Sequence, residues 1–161
     1  MILNVSSTFN ENEECCSRQY AIDRVWSFHN SHGYYVSKNS SNPWFMMTFD
    51  EEILLEKVII TNSWLELKRE QCTFQNITVR AGLDLIPRPP DGGRISENEE
   101  CVRNEKNTSD MGKEYSFKCI SPVEAKIITI QRIDDIDVIL VFDEVEIIGK
   151  GKCSHKGLFC T

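Results

Sequence analysis

The sequence predicts an all-β fold, a sandwich or barrel, on three observations. Apolar residues recur with period two in short runs, so each run presents one apolar and one polar face when extended. Clusters of Gly, Pro, Asn, Asp and Ser, the residues that supply turn conformations, separate the runs. No stretch has the spacing, caps and length of a long amphipathic helix. The clearest pattern lies in residues 43–62, PWFMMTFDEEILLEKVIITN. There Phe45, Met47 and Phe49 share one face, and Val58 and Ile60 share one again with Ile59 and Thr61 opposite. Asp50, Glu51 and Glu52 fall between the halves, so the segment predicts two strands joined by a solvated acidic turn.

The other elements follow in chain order. Residues 2–9 read as a first strand that gives way to the polar run NENEECCSR. Tyr20, Ala21, Ile22 and Asp23 come next, then Val25, Trp26 and Phe28. A loop over residues 29–42 is rich in His, Gly, Tyr, Ser and Asn. After the 43–62 hairpin, residues 63–71 are mixed and charged, with Trp64 and the basic pair Lys68-Arg69. Residues 74–81 alternate again, Phe74, Asn76, Thr78 and Arg80 opposite Ile77 and Val79. Residues 82–110 have little period and contain PRPPDGG, a loop by composition. Residues 115–119 read as a short strand. Two β-branched runs, 126–132 and 138–148, flank an acidic turn at Asp134-Asp135. One domain over 1–149 is expected, followed by a polar, cysteine-containing stretch over 150–161 that is a tail or the start of another module.

Composition bounds the function. A chain of 161 residues with 40% hydrophobic and 27% charged residues is one ordinary globular domain with enough length for a real core. The net charge of −7 argues against nucleic acid, which requires a basic face. No apolar run reaches the roughly 18–20 residues of a membrane span. MILNVSSTFN lacks a basic start followed by an apolar core, so no signal peptide is expected here and Met1 reads as the start of a mature chain. The seven cysteines, Cys15, Cys16, Cys72, Cys101, Cys119, Cys153 and Cys160, form no CxxC metal pair. Asn-x-Ser/Thr sequons occur at Asn4, Asn39, Asn76 and Asn107. Cysteines and sequons together favour a secreted or ectodomain setting with disulfides; the alternative is a cytosolic protein with free thiols. An odd cysteine count leaves at least one free or paired outside the chain.

Several short landmarks, in order, resemble a known family. They are Ala21-Ile22-Asp23, Pro43-Trp44, Lys57-Val58, Ile77-Thr78-Val79-Arg80, Gln131-Arg132 and Glu144-Val145-Glu146. Their order and spacing over residues 2–149 resemble the discoidin-like, galactose-binding-domain-like β-sandwich, and within it the fucose-binding F-type lectins. The resemblance implies an eight-stranded jelly roll with ligand-binding loops at one end. It also implies a disulfide between Cys101 and Cys119. It further implies a structural calcium, with carboxylates from Asp23 and Glu144 and backbone carbonyls of Tyr20, Val25 and Asp143. Calcium takes six to eight oxygens, and carboxylates from distant parts of the chain would pin a loop to the sandwich. Arg24 departs from the family, which often has Gly there. Without an ion, Asp23 is an Asx-type turn residue and Glu144 a strand residue facing solvent.

The family's fucose set does not carry over as a unit. Val36 stands near the position of its His, and Ser63 and Leu65 stand where its Arg-x-Asp is expected. Only the last basic residue has candidates, Lys68 or Arg69. Other ligand-binding candidates are His29, His32 and Tyr35 in the polar loop, and Trp64 beside Lys68 and Arg69, an aromatic ring with basic donors that suits a sugar or a protein partner. The alternatives are solvated loop histidines and a Trp64 that caps the core. Trp26 and Trp44 belong to the core or its rim. Cys15-Cys16 can staple the first loop to Cys72, with the vicinal pair leaving that ambiguous, and Cys153–Cys160 suits a local bridge. No catalytic set has supporting context, and Gly92-Gly93 has no following helix to make a phosphate loop. The expectation is a non-enzymatic extracellular binding module within a larger ectodomain, acting in cell-surface recognition or adhesion through the loops at one end, with a cell-surface protein or glycan as partner and the fucose set absent. The alternative is a calcium-supported lectin that binds fucose-like or other glycans through an altered loop set.

Overall fold

The computed structural model describes residues 1–6, 16–24, 33–63, 76–84, 97–104, 112–134 and 136–151. In chain order these form β1 (Ile2–Val5), a 3₁₀ helix (Arg18–Ile22), β2 (Tyr35–Val36), β3 (Trp44–Thr61), β4 (Ile77–Gly82), β5 (Glu99–Asn104), β6 (Glu114–Arg132), β7 (Val141–Phe142) and β8 (Glu144–Gly151). All strand pairings are antiparallel among the described residues. The all-β reading holds.

The expected hairpin over 43–62 is instead one strand of 18 residues, β3. The alternation was real but the turn was not. Asp50, Glu51 and Glu52 include no Gly, Pro or Asn to reverse the chain. Instead β6 pairs with both halves of β3, and the register shifts between them. Thr48 faces Ile127 and Ile53 faces Ala125, so β3 spends five steps where β6 spends two. The three acidic residues are exposed in that bulge. In the same way, the runs expected at 115–119 and 126–132 are one strand, β6, of 19 residues. Pro122 lies in its second register shift, between Lys118 and Val123, where a missing N–H breaks no ladder bond.

The two bulged strands each serve two layers. Residues 44–48 of β3 lie between β1 and β6, and β4 and β5 continue that layer. Residues 53–61 of β3 lie between the first half of β6 and β8. Inward side chains of both layers, Phe45, Met47, Val79, Ile128 and Ile130 with Leu55, Val58, Ile60, Phe117, Val145 and Ile147, form one buried cluster. The Cys101–Cys119 disulfide joins edge strand β5 to the other layer of β6. The 3₁₀ helix packs against β8, β2 and β1, with Ala21 fully buried. β8 runs through Lys150 and Gly151, which pair with Leu54 and Ile53, two residues past the expected domain edge.

The layers share a loop-bearing end. On the first, Val5 faces Phe45, Trp44 faces Gln131, and Ile77 faces both Asn104 and Arg132. On the second, Thr61 faces Glu114 and Glu144. Arg132 Nη1 donates to the carbonyl of Ile139 (3.2 Å), and the N–H of Asp143 donates to the carbonyl of Thr61 (2.9 Å). Four residue steps reach at most about 14 Å, so both rims belong to one end. The bulge at Asp50–Glu52 marks the opposite end, where the Met1 ammonium meets Asp50 (3.0 Å) and Gly151 pairs with Ile53.

Candidate functional site

A polar clasp ties three segments together at the loop-bearing end. Asp134 is its hub. One carboxylate oxygen accepts from Nε of Arg132 (2.6 Å), the other from Nδ2 of Asn76 (2.6 Å). The Asp134 N–H donates to Oδ1 of Asn42 (3.2 Å), whose carbonyl accepts from Gln131 Nε2 (3.0 Å). Arg132 is only 2% exposed, so its charge is matched where water is scarce. Backbone bonds tighten the knot: Arg132 N–H to the carbonyl of Pro43 (3.1 Å) and Ile133 N–H to that of Asn76 (3.0 Å).

Backbone strain collects at the same end. Among the described residues, positive φ occurs at Arg24 (63°), Asn42 (55°), Asn76 (55°) and Gly112 (65°). Gly112 N–H donates to the carbonyl of Asn62, just past β3, and Arg24 touches Glu144 at the start of β8. Asn and Gly tolerate this region. Arg does not, at a cost of about 1–2 kcal/mol. Such residues persist only where the surroundings over-determine them.

Glu144 is the second feature. It is 2% exposed, which overturns the solvent-facing alternative. Its Oε2 accepts from the backbone N–H of Arg24 (2.8 Å), a bond the positive φ of Arg24 presents. Burial pushes its pKa from 4.5 up to about 7; the charges of Asp23 and Glu146 push the same way, against the backbone donors of Arg24 and Val145. Asp23 itself is exposed, directly after the 3₁₀ helix. Asp143 is buried beside Glu144. Tyr20 lies in the 3₁₀ helix, its ring packed so closely on Gly33 that a Cβ there would overlap it. No cluster of three or more His, Cys, Asp or Glu side chains suited to a metal occurs among the described residues. A buried carboxylate whose pKa two neighbouring carboxylates raise is hard-oxygen chemistry of the kind calcium takes. Val25 lies outside the described residues.

The remaining sequence candidates separate cleanly. Tyr35 is corrected: it is 0% exposed, with its ring 5.1 Å from those of Phe45 and Phe142, and burial raises its pKa. It is a core residue. Val36 is 4% exposed in a small cluster with Ile139 and Val141, and Ser63 is 1% exposed. Neither offers a ligand contact where the resemblance places His and Arg. Cys101 and Cys119 are bonded, and Cys16 is disulfide-bonded too. His29, His32, Trp64, Leu65, Lys68, Arg69, Cys153 and Cys160 lie outside the described residues. The clasp was missed. Its signal was two asparagines at loop ends, Asn42 before Pro43 and Asn76 before a strand, beside the Gln131-Arg132 landmark.

No protein-family model and no curated protein matches the sequence. Solved structures do. A striped bass (Morone saxatilis) serum F-lectin, a fucolectin, matches with a TM-score of 0.71 at 16% identity. The match covers 91% of this chain and 45% of that one, so this chain spans less than half of the fish lectin. A Clostridium perfringens protein in complex with GalNAc-β-1,3-galactose gives 0.65 at 11% identity over 91% and 93% of the two chains. An F5/8 type C domain from Bacteroides fragilis gives 0.62 at 12% identity over 91% and 89%. The fold is therefore the galactose-binding-domain-like jelly-roll sandwich. Within that class its architecture is the one shared by F-type lectins and discoidin (F5/8 type C) domains.

Proposed function

We propose that this chain is a non-enzymatic, extracellular recognition module that binds glycans at its loop-bearing end. One observation carries the reading. The positive-φ residues Arg24, Asn42 and Asn76 and the buried Arg132–Asp134 pair all gather at that end, while the opposite end holds an exposed acidic bulge. A rim where backbone strain coincides with a buried ion pair holds its loops in a set geometry, which rigid recognition requires. The fish lectin and the glycan-bound clostridial protein share the architecture and support a sugar as the ligand. Calcium, held by Asp23 and Glu144 with carbonyls of Tyr20, Val25 and Asp143, would neutralise the carboxylates and pin the segment after the 3₁₀ helix to β8.

A second reading is a protein-binding adhesion module in which the sugar site is lost. The buried Val36 and Ser63 favour it for fucose specifically. A glycan array, run in calcium and in chelator, separates the two. Retention of a defined glycan set that weakens in chelator supports the first. Silence across the array, with capture of a protein partner, overturns it. Thermal melting tests the ion alone: calcium should raise the melting temperature of the wild type and leave Asp23→Asn with Glu144→Gln unmoved, because a ligand of the native state must stabilise it.

A further inference from the structure

We infer that Asn39 is an N-glycan acceptor of the folded protein and that Asn76, also a sequon by sequence, stays unmodified. This rests on the extracellular reading, which the experiment below keeps separate. In the transfer, the side-chain nitrogen displaces the pyrophosphate of a lipid-linked oligosaccharide at the anomeric carbon. A C–N bond forms, the C–O bond to phosphate breaks, and the amide gives up one proton. The product is a bulky, hydrated group that the folded chain must accommodate in water.

The described sequons meet that demand unequally. Asn39 is exposed, as are Lys38 just before it and Ser41, the hydroxyl residue of its sequon. Its loop is held by backbone bonds, Ser37 N–H to the carbonyl of Leu140 (2.9 Å) and reciprocal Ser40–Val138 bonds (3.0 Å each). A sugar at Asn39 therefore projects into solvent from a fixed base. Asn76 is the opposite case. Its Nδ2 is the atom that donates to Asp134 at 2.6 Å, on a carboxylate shared with the buried Arg132. Its backbone φ of 55° fixes that aim, and Thr78 of the same sequon is buried. A glycan on Nδ2 replaces one amide hydrogen and places its bulk at a half-buried knot. A chain modified there before folding closes the clasp poorly, so the secreted, folded pool carries Asn76 bare. Asn4 lies between these extremes: it is half-buried on edge strand β1, and the hydroxyl of Ser6 in its sequon already accepts from Trp44 N–H (3.0 Å). The Asn39 glycan stands on the loop that ends at Asn42, so it flanks the clasp and limits approach to the loop-bearing end from that side.

The test is secretion from a eukaryotic cell line behind a heterologous signal sequence, which imposes the compartment and so does not depend on the native location. Glycans are removed enzymatically in ¹⁸O water, converting each occupied Asn to labelled Asp, and peptides are mapped by mass spectrometry. The expected result is label at Asn39 and none at Asn76. Ser41→Ala should remove the Asn39 label with secretion unchanged within about twofold, and Thr78→Ala should leave the labelling pattern of the wild type. Label at Asn76 in secreted protein, or a bare Asn39, overturns the assignment. Native location is read separately, from where the endogenous protein is found.

Discussion

Glu144 shows how a single residue acquires chemistry from the fold. Its folded pKa of about 7 lies above the ordinary 4.5, so the folded state holds the proton more tightly than the unfolded chain does. Stability from the protonated form is complete below about pH 4.5 and is lost as pH rises through about 7, by at most about 3 kcal/mol. In chelator, the melting temperature should fall between pH 5 and 8, and Glu144→Gln should flatten that fall. An equally steep fall in the variant would place the effect elsewhere. Asp134 gives a second residue-scale expectation. Asp134→Ala leaves the buried Arg132 guanidinium without its carboxylate and should cost about 3–5 kcal/mol by chemical denaturation; a loss under 1 kcal/mol would show that water replaces the carboxylate. Neither environment was legible in the sequence. Asp134 read as a turn residue, and its partners Asn42 and Asn76 come from elsewhere in the chain. Tyr35 failed for a related reason. It sits among His, Gly and Ser, which look like a loop, while Phe45 and Phe142 decide its burial.

At the scale of the element, alternation was legible and connectivity was not. Phe45 and Met47 read as sharing one face of an alternation, as do Val58 and Ile60, and all four are buried. Whether Asp50, Glu51 and Glu52 turn the chain or bulge it depends on β6, which pairs with both halves of β3 from far along the sequence. Close approach between strands sets a sharper constraint. A Cβ on Gly149 would lie 2.5 Å from the carbonyl oxygen of Leu54, and backbone cannot step aside as a side-chain tip can. Gly149→Ala should therefore destabilise by about 1–3 kcal/mol, seen as a lower melting temperature. Lys150→Ala next to it removes only an exposed ion pair with Glu56 and should change little. Equal effects of the two would contradict the packing of β8 on β3.

For the whole molecule, the sandwich class was legible because several weak landmarks fell in the right order, and their sum carried more than any one of them. The division into a loop-bearing end and an acidic end was not, because it depends on Arg132 and Asp143 linking the two rims through residues 139–143. That division makes the recognition claim directional. Lys38 and Lys113 are exposed at the loop-bearing end, and Lys126 lies at the other, paired with Glu52. The most direct measurement is glycan-array binding by the wild type, tethered through Met1 at the acidic end, beside Lys38→Glu, Lys113→Glu and Lys126→Glu. The expected result is a defined set of retained glycans whose binding falls at least tenfold in one or both of the first two variants and persists in the third. An array without retained glycans, or binding lost only with Lys126→Glu, would contradict recognition at this end.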